Sequence, residues 1–142
     1  MDLLKQYLDL AIFGILGLMS FFMIAYVVER YFYFARLDLS QFSTPQSLNV
    51  ALTRHMTIIA SIASNAPYIG LLGTVLGILI TFHDLAQDEA LSASVIMLGL
   101  ALALKATAAG LAVAIPATVF YNALVRRVDV LTSRWQDMRS AR

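Results

Sequence analysis

The chain of 142 residues is 60% hydrophobic and only 13% charged, against roughly 45–50% and 25% in soluble proteins, so much of it must face something other than water. A net charge of +1 gives no basis for a nucleic-acid partner, and the absence of cysteine rules out disulfides and thiolate metal sites. His55 and His83 flank an apolar run without metal-ligand spacing, so no metal or cofactor is expected, and no nucleophile–base set or phosphate loop points to an enzyme.

The first apolar run, Leu10–Val28, carries no charge and approaches the roughly 20 residues that a bilayer crossing needs. It is longer than a signal-peptide core, and it is preceded by Asp2, Lys5 and Asp9 instead of a basic cluster, so it reads as a retained span. A linker with Arg30, Arg36, Arg54 and the aromatic cluster Tyr31–Phe34 follows. Within it, Pro45 and its Ser/Thr/Gln neighbours predict a turn before a helix capped near Ser43 or Thr44. The second run, Met56–Phe82, is also uncharged and at about 40 Å outruns the membrane. The turn His83–Glu89 contains no Lys or Arg, and the third run, between Glu89 and Arg126, is interrupted only by Lys105. From Ala117 the positions Tyr121, Leu124, Val128, Leu131, Trp135 and Met138 repeat at 4,3 spacing. That pattern predicts a packed helical seam continuing past Arg126 and Arg127, with a surface-lying amphipathic tail as the alternative.

These features predict an all-α integral membrane protein forming one domain over residues 1–142. Its spans fall at about 10–28, 58–82 and 93–125, with a linker at 29–57 and a tail at 126–142. Basic residues concentrate in linker and tail, so both are expected on the cytoplasmic side, with Arg126 and Arg127 as interface anchors. The N-terminus and the acidic turn are then expected outside.

Lipid gives membrane helices no hydrophobic reason to associate, so small residues mark where they pack. In span two, Pro67, Gly70, Thr74, Gly77 and Thr81 share a face, and Gly73 with Gly77 makes a GxxxG pattern. In span three, Ala103, Thr107, Gly110, Ala114 and Thr118 do the same. These faces suit a path or a partner helix, while the plainer role for each threonine is a bond to the carbonyl one turn back. Lys105 lies about 200° from Thr107, with Ala101, Ala109 and Ala112. It is too deep to reach the outer surface, and an alanine face predicts contact with protein. Two uses stay open: pairing with or tuning a carboxylate, or bonding backbone carbonyls or lipid phosphate at a subunit seam. None of the three apolar runs contains Asp or Glu. Proton-coupled machines need an ionisable acid in the membrane, so a proton-conducting role would require an acid from another chain.

Two stretches, Ala66-Pro-Tyr-Ile-Gly-Leu-Leu-Gly-Thr-Val-Leu-Gly-Ile78 and Lys105-Ala-Thr-Ala-Ala-Gly-Leu-Ala-Val-Ala-Ile-Pro116 with its continuation to Asn122, resemble the MotA/TolQ/ExbB proton-channel family, and within it the short ExbB proteins. The resemblance implies a homopentamer of three-helix subunits in the bacterial inner membrane, surrounding single-span ExbD helices that supply the missing aspartate. It also implies coupling of the proton-motive force to TonB-dependent outer-membrane import. The family's pore threonines correspond to Thr74 and Thr107, with Pro67, Gly70, Gly73, Gly77, Gly110 and Pro116 in pore or helix packing. Longer members carry a glutamate five residues before the second threonine, where this chain has Leu102, so a route through that glutamate does not transfer. Lys105 is expected between neighbouring subunits, off the pore axis. Competing functions are a TolQ-like envelope motor, against which the short linker argues, and a passive scaffold for ExbD and TonB.

Overall fold

In lipid a chain must satisfy its backbone polar groups internally, which a helix does residue by residue. In the computed structural model, which describes residues 2–142, the three apolar runs lie in helices α1 (Asp2–Ala35), α3 (Met56–Gln87) and α4 (Ala93–Ser140). A 3₁₀ turn (Leu39–Gln41) and α2 (Pro45–Leu52) complete the chain. All three long helices are long and apolar enough to cross a membrane. With 48 residues, α4 extends about 72 Å, more than twice a hydrocarbon core of roughly 30 Å. Pro67 and Pro116 sit inside α3 and α4 without ending them, each removing one ladder bond that membrane helices tolerate.

The helix ends follow local chemistry. Thr44 caps α2, its hydroxyl accepting from the Ser47 N–H at 3.1 Å, with Pro45 in the first turn. Ahead of it, the hydroxyl and N–H of Ser40 both donate to Asp38 (2.7 and 3.0 Å), which holds that carboxyl below its ordinary pKa. The turn expected at His83–Glu89 begins later. His83–Gln87 continue α3, because Leu85, Ala86 and Gln87 favour helix and no Gly or Pro interrupts them. The chain reverses only at Asp88, which accepts from the Ala90 N–H at 3.0 Å, and Ser92 caps α4.

α3 and α4 form an antiparallel hairpin, and α1 packs against both. Towards the end that carries α2, here the linker end, the core is built from large side chains. Leu48, Leu52, Ile59 and Leu124 are fully buried, with Val128, Leu131 and Trp135 around them. The Trp135 indole N–H donates to the Phe42 carbonyl at 3.1 Å, fastening α4 to the segment ahead of α2. The 4,3 seam of α4 is therefore a packed one, and not a tail lying on a surface. Its last position is the most open: Met138 is 41% exposed where Trp135 is buried, although it still lines a small pocket with Leu39 and Phe42. Nearer the Asp88–Ser92 turn, the core is Ile12, Leu16, Ala66, Ala106 and Ala114.

Candidate functional site

The small-residue faces of α3 and α4 meet each other. At their crossing, a Cβ added to Gly70 would stand 2.5 Å from the Ala106 carbonyl oxygen, and one added to Gly110 would stand 2.6 Å from that of Ala66. The two backbones thus touch, as only glycine permits. Gly73 and Gly77 meet the methyls of Ala106 and Ala103, and Ile12 of α1 also presses on Gly73.

One residue beyond Gly73, about 100° around the helix, Thr74 faces α4. Its buried hydroxyl is 2.9 Å from the Ala103 carbonyl and in hydrogen-bond contact with the Thr107 hydroxyl. A hydroxyl has one proton. If Thr74 donates to Ala103, it accepts from Thr107, and the lone pairs of Thr107, which is only half-buried, stay open. Thr74 also lies 3.3 Å from the Gly70 carbonyl four residues back; Thr81 and Thr118 make a bond of that kind alone, donating to the carbonyls of Gly77 and Ala114 at 2.9 and 2.8 Å. Only Thr74 and Thr107 bridge the helices.

Pro67 and Pro116 are half-buried within the same two helices. Lys105 is exposed on the flank of α4, and among the described residues no hydrogen bond or ion pair involves it. Arg126 is exposed and Arg127 half-buried on the extension of α4. At the turn end a cleft of ≈ 430 Å³ is lined by Lys5, Thr81, Asp84, Gln87 and Asp88, with Lys5 and Asp84 paired at 3.8 Å.

Arg30 was legible in the sequence only as one more basic residue of the linker. In the structure it is 1% exposed. It donates to the Ala51 and Leu52 carbonyls at 2.8 and 3.3 Å, so a cation closes the C-terminal end of α2. Its other nitrogens hold both oxygens of Glu29 at 2.6 and 2.7 Å, and its guanidinium lies 4.3 Å from the Tyr33 ring centre. His55, with φ 67°, is the sole non-glycine residue at positive φ among those described, and its ring stacks on Tyr26 at 4.6 Å. The signal available beforehand was Arg30 at the edge of an aromatic cluster, which fits an interfacial belt equally well.

The family described as the MotA/TolQ/ExbB proton channel family matches residues 40–137. A biopolymer transport protein ExbB of Helicobacter pylori J99 is 46% identical over 140 residues, covering 99% of this chain and 97% of that one. One from Aquifex aeolicus is 47% identical over 136 residues, covering 96% of this chain and 92% of the other. A Tol-Pal system protein TolQ of Pseudomonas aeruginosa is 36% identical over 97 residues, covering 63% of this chain and 42% of its own.

Proposed function

The chain belongs to the MotA/TolQ/ExbB proton channel family, and from that premise we propose how this multi-pass membrane protein works. Copies of the chain form a ring, a pentamer by family resemblance, with the threonine-bearing side of each α3–α4 seam turned to the centre. Single-span ExbD-type helices occupy that centre and bring the carboxylate that the spans of this chain lack. The ring sits in the bacterial inner membrane with the α2 linker and the α4 extension in the cytoplasm, and it passes proton-motive work to a TonB-type partner for outer-membrane import.

The observation that carries this reading is the Thr74–Thr107 hydroxyl pair, poised between two helices in a membrane stretch without any acid. Protonated, a partner carboxyl donates to the open lone pairs of Thr107. Ionised, it needs a donor, and Thr107 supplies one by turning its proton away from Thr74. The pair therefore offers hydrogen bonds to both protonation states with no change of backbone, which suits transient contact with a moving helix. The close Gly70–Gly110 approach holds the two threonines in register while leaving only small side chains beside them. Lys105, on the flank away from Thr107, sits between neighbouring copies and binds their carbonyl oxygens, holding the ring together without entering the proton path.

Replacing both threonines with valine tests this. In vesicles holding the complex with its single-span partner, proton flux should fall at least tenfold while the ring still assembles. Undiminished flux and energy-dependent uptake in the double variant would leave the passive-scaffold reading in its place. Lys105→Met should weaken assembly of the ring more than it alters flux per assembled ring.

A further inference from the structure

Between α1 and α3, on the outer flank of the bundle, runs an apolar groove of ≈ 390 Å³. Ile15, Leu18 and Phe22 of α1 form one wall, Ile58 and Ile62 of α3 the other, and Tyr26 stands at the linker end. Its mouth is open: Leu18 is 57% and Phe22 41% exposed. The groove is almost wholly apolar along its length and becomes cationic at one end. There the aromatic sequence Phe22, Tyr26, His55 steps out of the membrane stretch, with ring centres 6.3 and 4.6 Å apart. Exposed Arg54 precedes His55 in the same turn, and α3 begins there without a side-chain cap, its positive end adding to the field. Glu29 lies at this end too, but both its oxygens are engaged by the guanidinium of Arg30.

We propose that this groove holds one acidic phospholipid of the surrounding leaflet, an acyl chain lying along Ile15–Ile62 and the anionic headgroup on Arg54 and His55. The groove suits a single hydrocarbon chain entering from the side, since its walls come from two parallel-lying helices with no polar atom to satisfy between them. A second copy of this chain is the competing occupant: its apolar runs carry no carboxylate, but its linker and tail carry Asp38, Asp129 and Asp137, and quenching by a brominated lipid separates the two. The fixed charge at only one end gives the site its preference: a zwitterionic lipid gains the apolar contacts but not the net attraction to Arg54. The assignment does not depend on the proton path; the leaflet alone follows from the orientation proposed above.

Native mass spectrometry of the complex, extracted from vesicles of equal parts phosphatidylglycerol and phosphatidylcholine, reads the retained lipid directly. Phosphatidylglycerol should be retained at least fivefold over phosphatidylcholine, about one per chain. Arg54→Gln should bring the ratio close to one, and Ile62→Trp, which fills the groove, should remove the retained lipid of both kinds. Glycerol phosphate without acyl chains should not displace it; displacement would mean an anion site independent of the groove. An even ratio in the unaltered chain, or retention unaffected by Ile62→Trp, would overturn the assignment. A tryptophan placed at Phe22 gives an independent reading. Brominated phosphatidylglycerol should quench its emission, whereas absence of quenching in the assembled ring would mean that a neighbouring copy covers the groove.

Discussion

The two halves of the α3–α4 hairpin are held together by opposite means. Near the Gly70–Gly110 crossing the helices touch backbone to backbone, and the side chains between them are methyls, hydrogens and two hydroxyls. At the linker end the same helices are separated and joined by Leu124, Val128, Leu131, Trp135, Ile59 and the α2 leucines. We attribute the difference to solvent, since α4 at 48 residues is longer than a hydrocarbon core requires. In hydrocarbon, burying a leucine gains nothing over leaving it in lipid, so close packing and interhelical hydrogen bonds must supply the attraction. In water, large side chains gain roughly 1.5–3 kcal/mol each by burial. A single helix 48 residues long therefore carries two packing codes in series.

The largest effect should come from emptying the linker-end half. Trp135→Ala removes the largest buried side chain of the α4 extension together with its bond to the Phe42 carbonyl. A loss of about 3–5 kcal/mol is expected, read as a lowered midpoint for loss of helicity of the purified protein in mild detergent. An unchanged midpoint would mean that the α4 extension is not packed on the α2 region in solution. Arg30→Met probes the same half more gently. It keeps much of the buried volume but strips the end of α2 of its cation and leaves two carbonyls without donors. A cost of about 1–3 kcal/mol is expected, with proteolysis first appearing between residues 37 and 53.

Filling the membrane half should act differently. Gly70→Ala places a methyl against the Ala106 carbonyl oxygen, which is backbone and has nowhere to go. Overpacking of this kind costs about 1–3 kcal/mol, and it also moves Thr74 away from Thr107. The comparison predicts a signature that Trp135→Ala lacks: proton flux through the assembled complex lost at a temperature where the helices remain intact. If both substitutions gave the same balance of unfolding and lost flux, the two halves would form one cooperative unit and the division by solvent would fail.

How much of this the sequence carries depends on which code is in use. Length and the absence of charge mark the spans, and a period of 3.6 marks Gly70, Thr74, Ala103 and Thr107 as members of small faces. Periodicity describes one helix at a time, so it could not say that those two faces meet each other or that Thr74 reaches Thr107. The seam of α4 shows through its 4,3 spacing as far as the buried Trp135, with Met138 at its more exposed end. Arg30 stayed hidden for a physical reason: an arginine beside aromatic residues at a span's end looks the same whether it meets lipid headgroups or turns inward onto a helix end 21 residues away.

The smallest effect is the most discriminating. Gly14 and Gly17 of α1 resemble the seam glycines in sequence context, each set in a long apolar run, yet a Cβ added to either meets nothing within 4 Å. Gly14→Ala and Gly17→Ala should therefore lie within about 0.5 kcal/mol of the parent, because surface positions away from close contacts rarely move stability further. Any small gain should reflect the better helix propensity of alanine. Melting of the isolated three-helix chain in detergent tests this prediction, since only contacts within one chain contribute there. The same pair examined in the assembled ring asks something else. If they stay neutral there, lipid lies against that face of α1. If they weaken assembly while leaving the lone chain untouched, a neighbouring copy or another membrane helix approaches α1 as closely as α4 approaches α3, and the small-residue code operates between chains as well as within one.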